Sequence, residues 1–134
     1  MTTRRIPVRS AEDLLAESRR GVERVEPRDL ELLHAAGALV VDIRPERQRA
    51  EEGALGFGVI VERNVLEWRF DLRGEHALPD VHGYEQEVIV VCSEGYASSL
   101  AAASLRRLGY AGATDLAGGY VAWRAWRGGD GRSG

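Results

Sequence analysis

The stretch Val88-Ile89-Val90-Val91-Cys92-Ser93-Glu94-Gly95-Tyr96-Ala97-Ser98-Ser99-Leu100-Ala101-Ala102-Ala103 decides the reading of this 134-residue chain. Its opening run is apolar and β-branched, the pattern of a strand buried on both faces. Its closing run is rich in small residues and predicts a helix from about Ser98 to Leu108, ended by Gly109. Between them lies a loop carrying Cys92, the only cysteine. A thiol at a strand-to-helix turn faces the amide-rich start of a helix, which favours the nucleophilic thiolate. Gly95 admits a backbone geometry closed to other residues, and successive amides of such a loop converge into a nest for an anion. The competing reading is a buried thiol that merely packs. Gly95 three residues on, and Ser98-Ser99 at the helix start, argue against it.

Outward from this stretch, the chain alternates strand and helix signals. Ser10 caps a short helix to about Arg20, with Asp13 at the capping-box position. Val22–Val25 reads as a short strand, and Pro27 opens a second helix bearing Leu30, Leu33 and Ala36 at helical spacing. Ala38–Ile43 is a second buried-strand run, Pro45–Glu52 a helix or turn, and Val59–Val61 a further strand. Asn64–Leu72 is amphipathic and residues 74–83 form a loop. A last strand lies around Ala113–Asp115, and a final helix spans about Tyr120–Trp126. The predicted class is α/β: a parallel sheet covered by helices on both faces. Ligands of such sheets bind at the carboxyl ends of the strands, where Cys92 lies.

Composition narrows the function. The net charge is −3, so no basic footprint points to nucleic acid. All 18 basic residues are arginine, which excludes a lysine nucleophile or base. A lone cysteine forms neither an internal disulfide nor a thiolate zinc cluster. No apolar run approaches transmembrane length and the first residues lack a signal-peptide core, so a cytoplasmic setting without membrane contact is expected. His34, His76 and His82 show no metal-site spacing. Trp123 and Trp126 are expected to pack on the core, and Trp68 either there or at the pocket mouth. The hydroxyls of Ser93, Ser98 and Ser99 are candidates to hydrogen-bond the sulfur, the last two also to cap the helix.

Three segments then resemble one family, the single-domain rhodanese-like sulfurtransferases. Cys92, Gly95 and Ser98 fit its loop Cys-x-x-Gly-x-Arg-Ser/Thr. Leu116-Ala117-Gly118-Gly119-Tyr120-Val121-Ala122-Trp123 is similar to its closing signature, and Val41-Asp42-Ile43-Arg44 to its opening one. The resemblance implies about five parallel strands in a domain over residues 24–127. Residues 1–23 are then an N-terminal extension with a short helix, and 128–134 a flexible tail. It implies that Cys92 takes a sulfane sulfur as a persulfide and passes it to a thiol or cyanide, without metal or organic cofactor. Ser93, Glu94, Gly95, Tyr96, Ala97 and Ser98 would form the loop holding that sulfur.

The chain also departs from the family pattern. Ala97 stands where the family has its loop arginine, and Glu94 adds a negative charge, so a dianionic donor such as thiosulfate is disfavoured. A low-molecular-weight or protein persulfide becomes the expected donor, with a thiol acceptor. Arg44, Arg63 and Arg69 are the candidate replacement cations. Asp42 is expected to be structural, paired with Arg47; the glutamate common after the family's Asp-x-Arg signature is displaced, with Gln48 or Glu46 expected nearby. The segment Gly53-Ala54-Leu55-Gly56-Phe57-Gly58 lacks the family's histidine. The altered loop also suits an alternative function, a non-catalytic binding or redox-sensing module.

Overall fold

A computed structural model describes residues 6–133, with side-chain environments to residue 128. Residues 1–5 of the expected N-terminal extension and the terminal Gly134 lie outside the described residues. Four strands form one sheet: β1 (Leu39–Asp42), β2 (Val59–Ile60), β3 (Val88–Val91) and β4 (Ala113–Asp115). Their order is β2-β1-β3-β4 and every pairing is parallel. The expected strand at Val22–Val25 contracts to one parallel bridge, Val25 with Leu116, which extends the sheet beyond β4. The architecture is therefore the expected α/β fold, with four full strands and a one-residue fifth.

The apolar runs are continuous because both faces of the sheet are covered. Val88 and Val90 point to one side, onto α5 (Ala97–Leu108) and the short α4 (Leu66–Phe70), with Leu66, Phe70, Ala101 and Leu105. Ile89 and Val91 point to the other, onto α2 (Leu30–Ala35) and α6 (Gly119–Ser133), with Leu30, Tyr120 and Trp123. Trp126 packs at the edge of this second cluster, whereas Trp68 is 59% exposed and belongs to neither. The segment Pro45–Glu52 resolves into α3 (Glu46–Glu52). The backbone of α6 runs past the expected end at Trp126 to Ser133.

The N-terminal helix α1 (Ala11–Arg19) starts as its sequence requires. The Asp13 amide donates to Ser10 Oγ at 3.0 Å and the Ser10 amide to Asp13 Oδ2 at 3.0 Å. Leu15 and Ser18 are buried, and Arg106 of α5 donates to the Ser18 carbonyl at 2.6 Å. The helix thus lies on α5, beside the cysteine loop.

Two glycine turns meet behind that loop. Gly119, at φ +67°, has the Ser93 and Cys92 carbonyl oxygens 2.5 and 2.7 Å from where a Cβ would stand. Both neighbours are backbone, so neither can swing aside. Gly119→Ala is expected to cost about 3 kcal/mol, from left-handed strain plus overpacking. Urea unfolding measures this; a loss below about 0.5 kcal/mol, the range of neutral surface changes, would refute the contact.

Candidate active site

Cys92 follows the last residue of β3 and is 7% exposed. Its loop folds around its own sulfur. The amides of Gly95 and Ser98 donate to Sγ at 3.1 and 3.3 Å. The thiol donates to Ser98 Oγ at 3.2 Å, and the Ser98 hydroxyl donates to Asp115 Oδ2 at 2.6 Å. Neither Ser98 nor Ser99 caps α5, whose cap position is Tyr96 with no side-chain bond. Both are buried instead, and Ser99 also donates to Asp115 Oδ2, at 2.9 Å. Ser93 turns away from the sulfur and donates to Glu52 at 2.5 Å.

The loop carbonyls are taken up outside the site. Cys92 and Ser93 carbonyls accept from the Tyr120 and Val121 amides at the start of α6, at 2.8 and 3.0 Å. The Gly95 carbonyl accepts from two guanidinium groups, Arg19 Nη2 at 2.8 Å and Arg24 Nη2 at 2.9 Å. Across a trans peptide the carbonyl and the following N–H point opposite ways. The amides after these carbonyls, of Ser93, Glu94 and Tyr96, therefore point away from α6 and the two arginines. Those three amides and that of Ala97 have no acceptor within the protein among the described residues. Cys92, Ser93, Glu94, Tyr96 and Ala97 border a cavity of about 490 Å³. The same cavity is also lined by Ile43, Pro45, Gln48, Glu62 and Arg63.

Arg44 is a buried hub beside the loop. Its Nε and Nη2 donate to Asp42 at 3.0 and 2.7 Å, and its Nη1 donates to Glu52 at 3.1 Å. Its guanidinium lies 3.9 Å from the Tyr120 ring centroid. Burial works against its charge, but the bonds and charges of Asp42 and Glu52 outweigh it and hold the pKa above the ordinary arginine value. Glu52 also accepts the Ser93 hydroxyl, so the hub is tied to the cysteine loop.

A rhodanese-like domain model matches residues 27–125, nearly all of the sheet and its covering helices. The chain belongs to the rhodanese-like family. A Thermus thermophilus rhodanese homologue is 34% identical, with a TM-score of 0.55 over 75% of this chain and 99% of that one. A human single-domain sulfurtransferase is 25% identical, with a TM-score of 0.63 over 78% and 97%. A Rhodopseudomonas palustris protein of unknown function, described as a possible tyrosine phosphatase, is 25% identical, with a TM-score of 0.79 over 92% and 96%. No curated protein matches the chain.

In this rhodanese-like domain the structure corrects several expected roles. Asp42 is structural and paired, but its partner is Arg44. Arg47 is 88% exposed and pairs with Glu51, because α3 carries it outward. The second carboxylate on Arg44 is Glu52 at the end of α3, while Glu46 is exposed and Gln48 lines the cavity. Arg44 borders the cavity with its charge already committed to two carboxylates. Arg69 donates to the His76 carbonyl and does not line the cavity. Of the three candidate cations, Arg63 alone stands at the cavity with an exposed head, bonded to Glu67 at 3.1 Å. Arg19, Arg24 and Asp115 had no signal in the sequence: they reach the loop from far along the chain, without motif or periodicity.

The two possible arginine partners of Asp42 are separable by mutation. Asp42→Ala leaves Arg44 buried beside Glu52 alone and is expected to lose about 3–5 kcal/mol. Arg47→Ala removes an exposed helix pair and is expected to change stability by less than about 0.5 kcal/mol. Denaturant midpoints of the two variants check this ordering; equal effects would contradict it.

Proposed function

We propose that this protein is a sulfurtransferase that carries a sulfane sulfur as a persulfide on Cys92. The observation behind this reading is a buried sulfur that accepts two loop amides, with four more loop amides left without a protein acceptor among residues that border the cavity. Fixed N–H groups stabilise an anion without reorganising. A persulfide on Cys92 extends one atom toward those of Tyr96 and Ala97. The Cys92 thiolate attacks the outer sulfur of a donor R–S–S–H. The new S–S bond forms on Cys92, the donor's S–S bond breaks, and R–S⁻ leaves. A thiolate or cyanide acceptor then attacks the outer sulfur and releases the Cys92 thiolate, so the two half-reactions are ping-pong.

The charges at the cavity select the donor. Ala97 offers no cation, Glu94 and Glu62 stand at the rim, and the Arg63 charge is shared with Glu67. A thiosulfate dianion meets two carboxylates and one committed guanidinium there. A small-molecule or protein persulfide meets amides and the apolar Ile43, Pro45 and Ala97. The same argument weighs against a phosphatase, since phosphoryl oxygens also require a loop cation.

Intact-mass measurement after incubation with glutathione persulfide, cysteine persulfide and thiosulfate tests the reading. The expected result is a +32 Da adduct, about the mass of one sulfur, on wild type with the persulfide donors and none on Cys92→Ser. No adduct with any donor, together with no cyanide-dependent turnover, would leave the protein a binding module. Ala97→Arg restores a charge-assisted contact and is expected to lower KM for thiosulfate about tenfold. An unchanged KM would remove the charge argument for the donor.

A further inference from the structure

Two arginines outside the matched family segment converge on the back of the cysteine loop. Arg19 ends α1, Arg24 precedes the Val25 bridge, and both donate through Nη2 to the same Gly95 carbonyl. Arg19 Nε also donates to Ser99 Oγ at 2.9 Å, and its guanidinium carbon lies 6.0 Å from the Tyr96 ring centroid. Arg24 forks onto Asp115, at 2.9 Å to Oδ1 and 3.1 Å to Oδ2. Placing two guanidinium groups on one oxygen costs mutual repulsion, which the Asp115 carboxylate offsets.

The other paired and cavity-lining charges around Cys92 carry more carboxylate than guanidinium. Asp115, from β4, reaches the sulfur through Ser98; it is paired with Arg24 and also faces the charge of Arg106 from α5. Arg44, after β1, is outnumbered by Asp42 and Glu52. Arg63 is balanced by Glu67, while Glu94 and Glu62 at the rim are exposed. Arg19 is only partly exposed and has no carboxylate partner among the described residues. Its positive charge is therefore not neutralised by an ion pair of its own and opposes the excess of carboxylates around the site.

We propose that Arg19 and Arg24 are positioning residues for the Cys92 site. They pin the Gly95 carbonyl so that the Tyr96 amide faces the cavity, and Arg19 supplies from behind the positive charge that Ala97 withholds from the front. The segment before the family domain is then part of the active site. Within sulfur transfer the inference rests on the function proposed above, but its test does not.

Cys92 is the only cysteine, so its rate of alkylation by iodoacetamide against pH reports its own ionisation. Arg19→Gln is expected to raise the midpoint of that profile by about one pH unit, the effect of losing one nearby cation. Arg19→Lys, which keeps the charge, is expected to stay within about 0.3 unit of wild type. Arg24→Gln is expected to shift the midpoint upward as well, because it unmasks Asp115. Should Arg24→Gln fail to fold, Arg19→Gln decides alone, because that side chain leaves no buried carboxylate behind. An Arg19→Gln protein with wild-type melting and a wild-type profile would overturn the inference even if persulfide forms. A shifted profile without any persulfide would support it and count only against sulfur transfer.

Discussion

The site depends on backbone contact between the cysteine loop and the start of α6. Two amides of α6 take the Cys92 and Ser93 carbonyls, and Gly95 lies against the Gly118–Gly119 turn. A Cβ on Gly95, at φ +88°, would stand 2.7 Å from the Gly118 nitrogen. Only glycines allow such an approach. Because these carbonyls are held from outside, the amides that follow them point the other way, while those of Gly95 and Ser98 reach Sγ. The paired glycines of the closing signature therefore act on the orientation of peptide groups some 25 residues upstream, well beyond ending a turn.

Electrostatics follows from that orientation. The loop gathers N–H dipoles around a sulfur and carries no cation of its own. Its positive charges sit behind or beside it: Arg44 is locked between Asp42 and Glu52, and Arg19 and Arg24 are on the Gly95 carbonyl. Such a site suits one small, polarizable anion at the amides more than a large dianion in the cavity.

Much of this was readable from local pattern. The strand at Val88–Val91, the loop and the helix after it are contiguous, and their apolar and small-residue runs report burial directly. The Ser10–Asp13 capping box is equally local. What escaped was long-range. Proximity in sequence offers both Arg44 and Arg47 to Asp42, and only the outward turn of α3 separates them. Arg19 lies 76 residues from Gly95 and Arg24 91 from Asp115, and no periodicity links such pairs. Ser98 and Ser99 read as helix caps because their deeper partner, Asp115, comes from another strand. The fifth strand shrank to one bridge because a single residue, Val25, carries the pairing.

The most direct measurement is a crystal structure of the protein after reaction with a persulfide donor. The expected result is an outer sulfur on Cys92 within about 3.5 Å of the Tyr96 and Ala97 amide nitrogens, with the Gly95 carbonyl still held by Arg19 and Arg24. An outer sulfur directed into open solvent, or a loop whose peptides have turned their carbonyls toward it, would contradict the account.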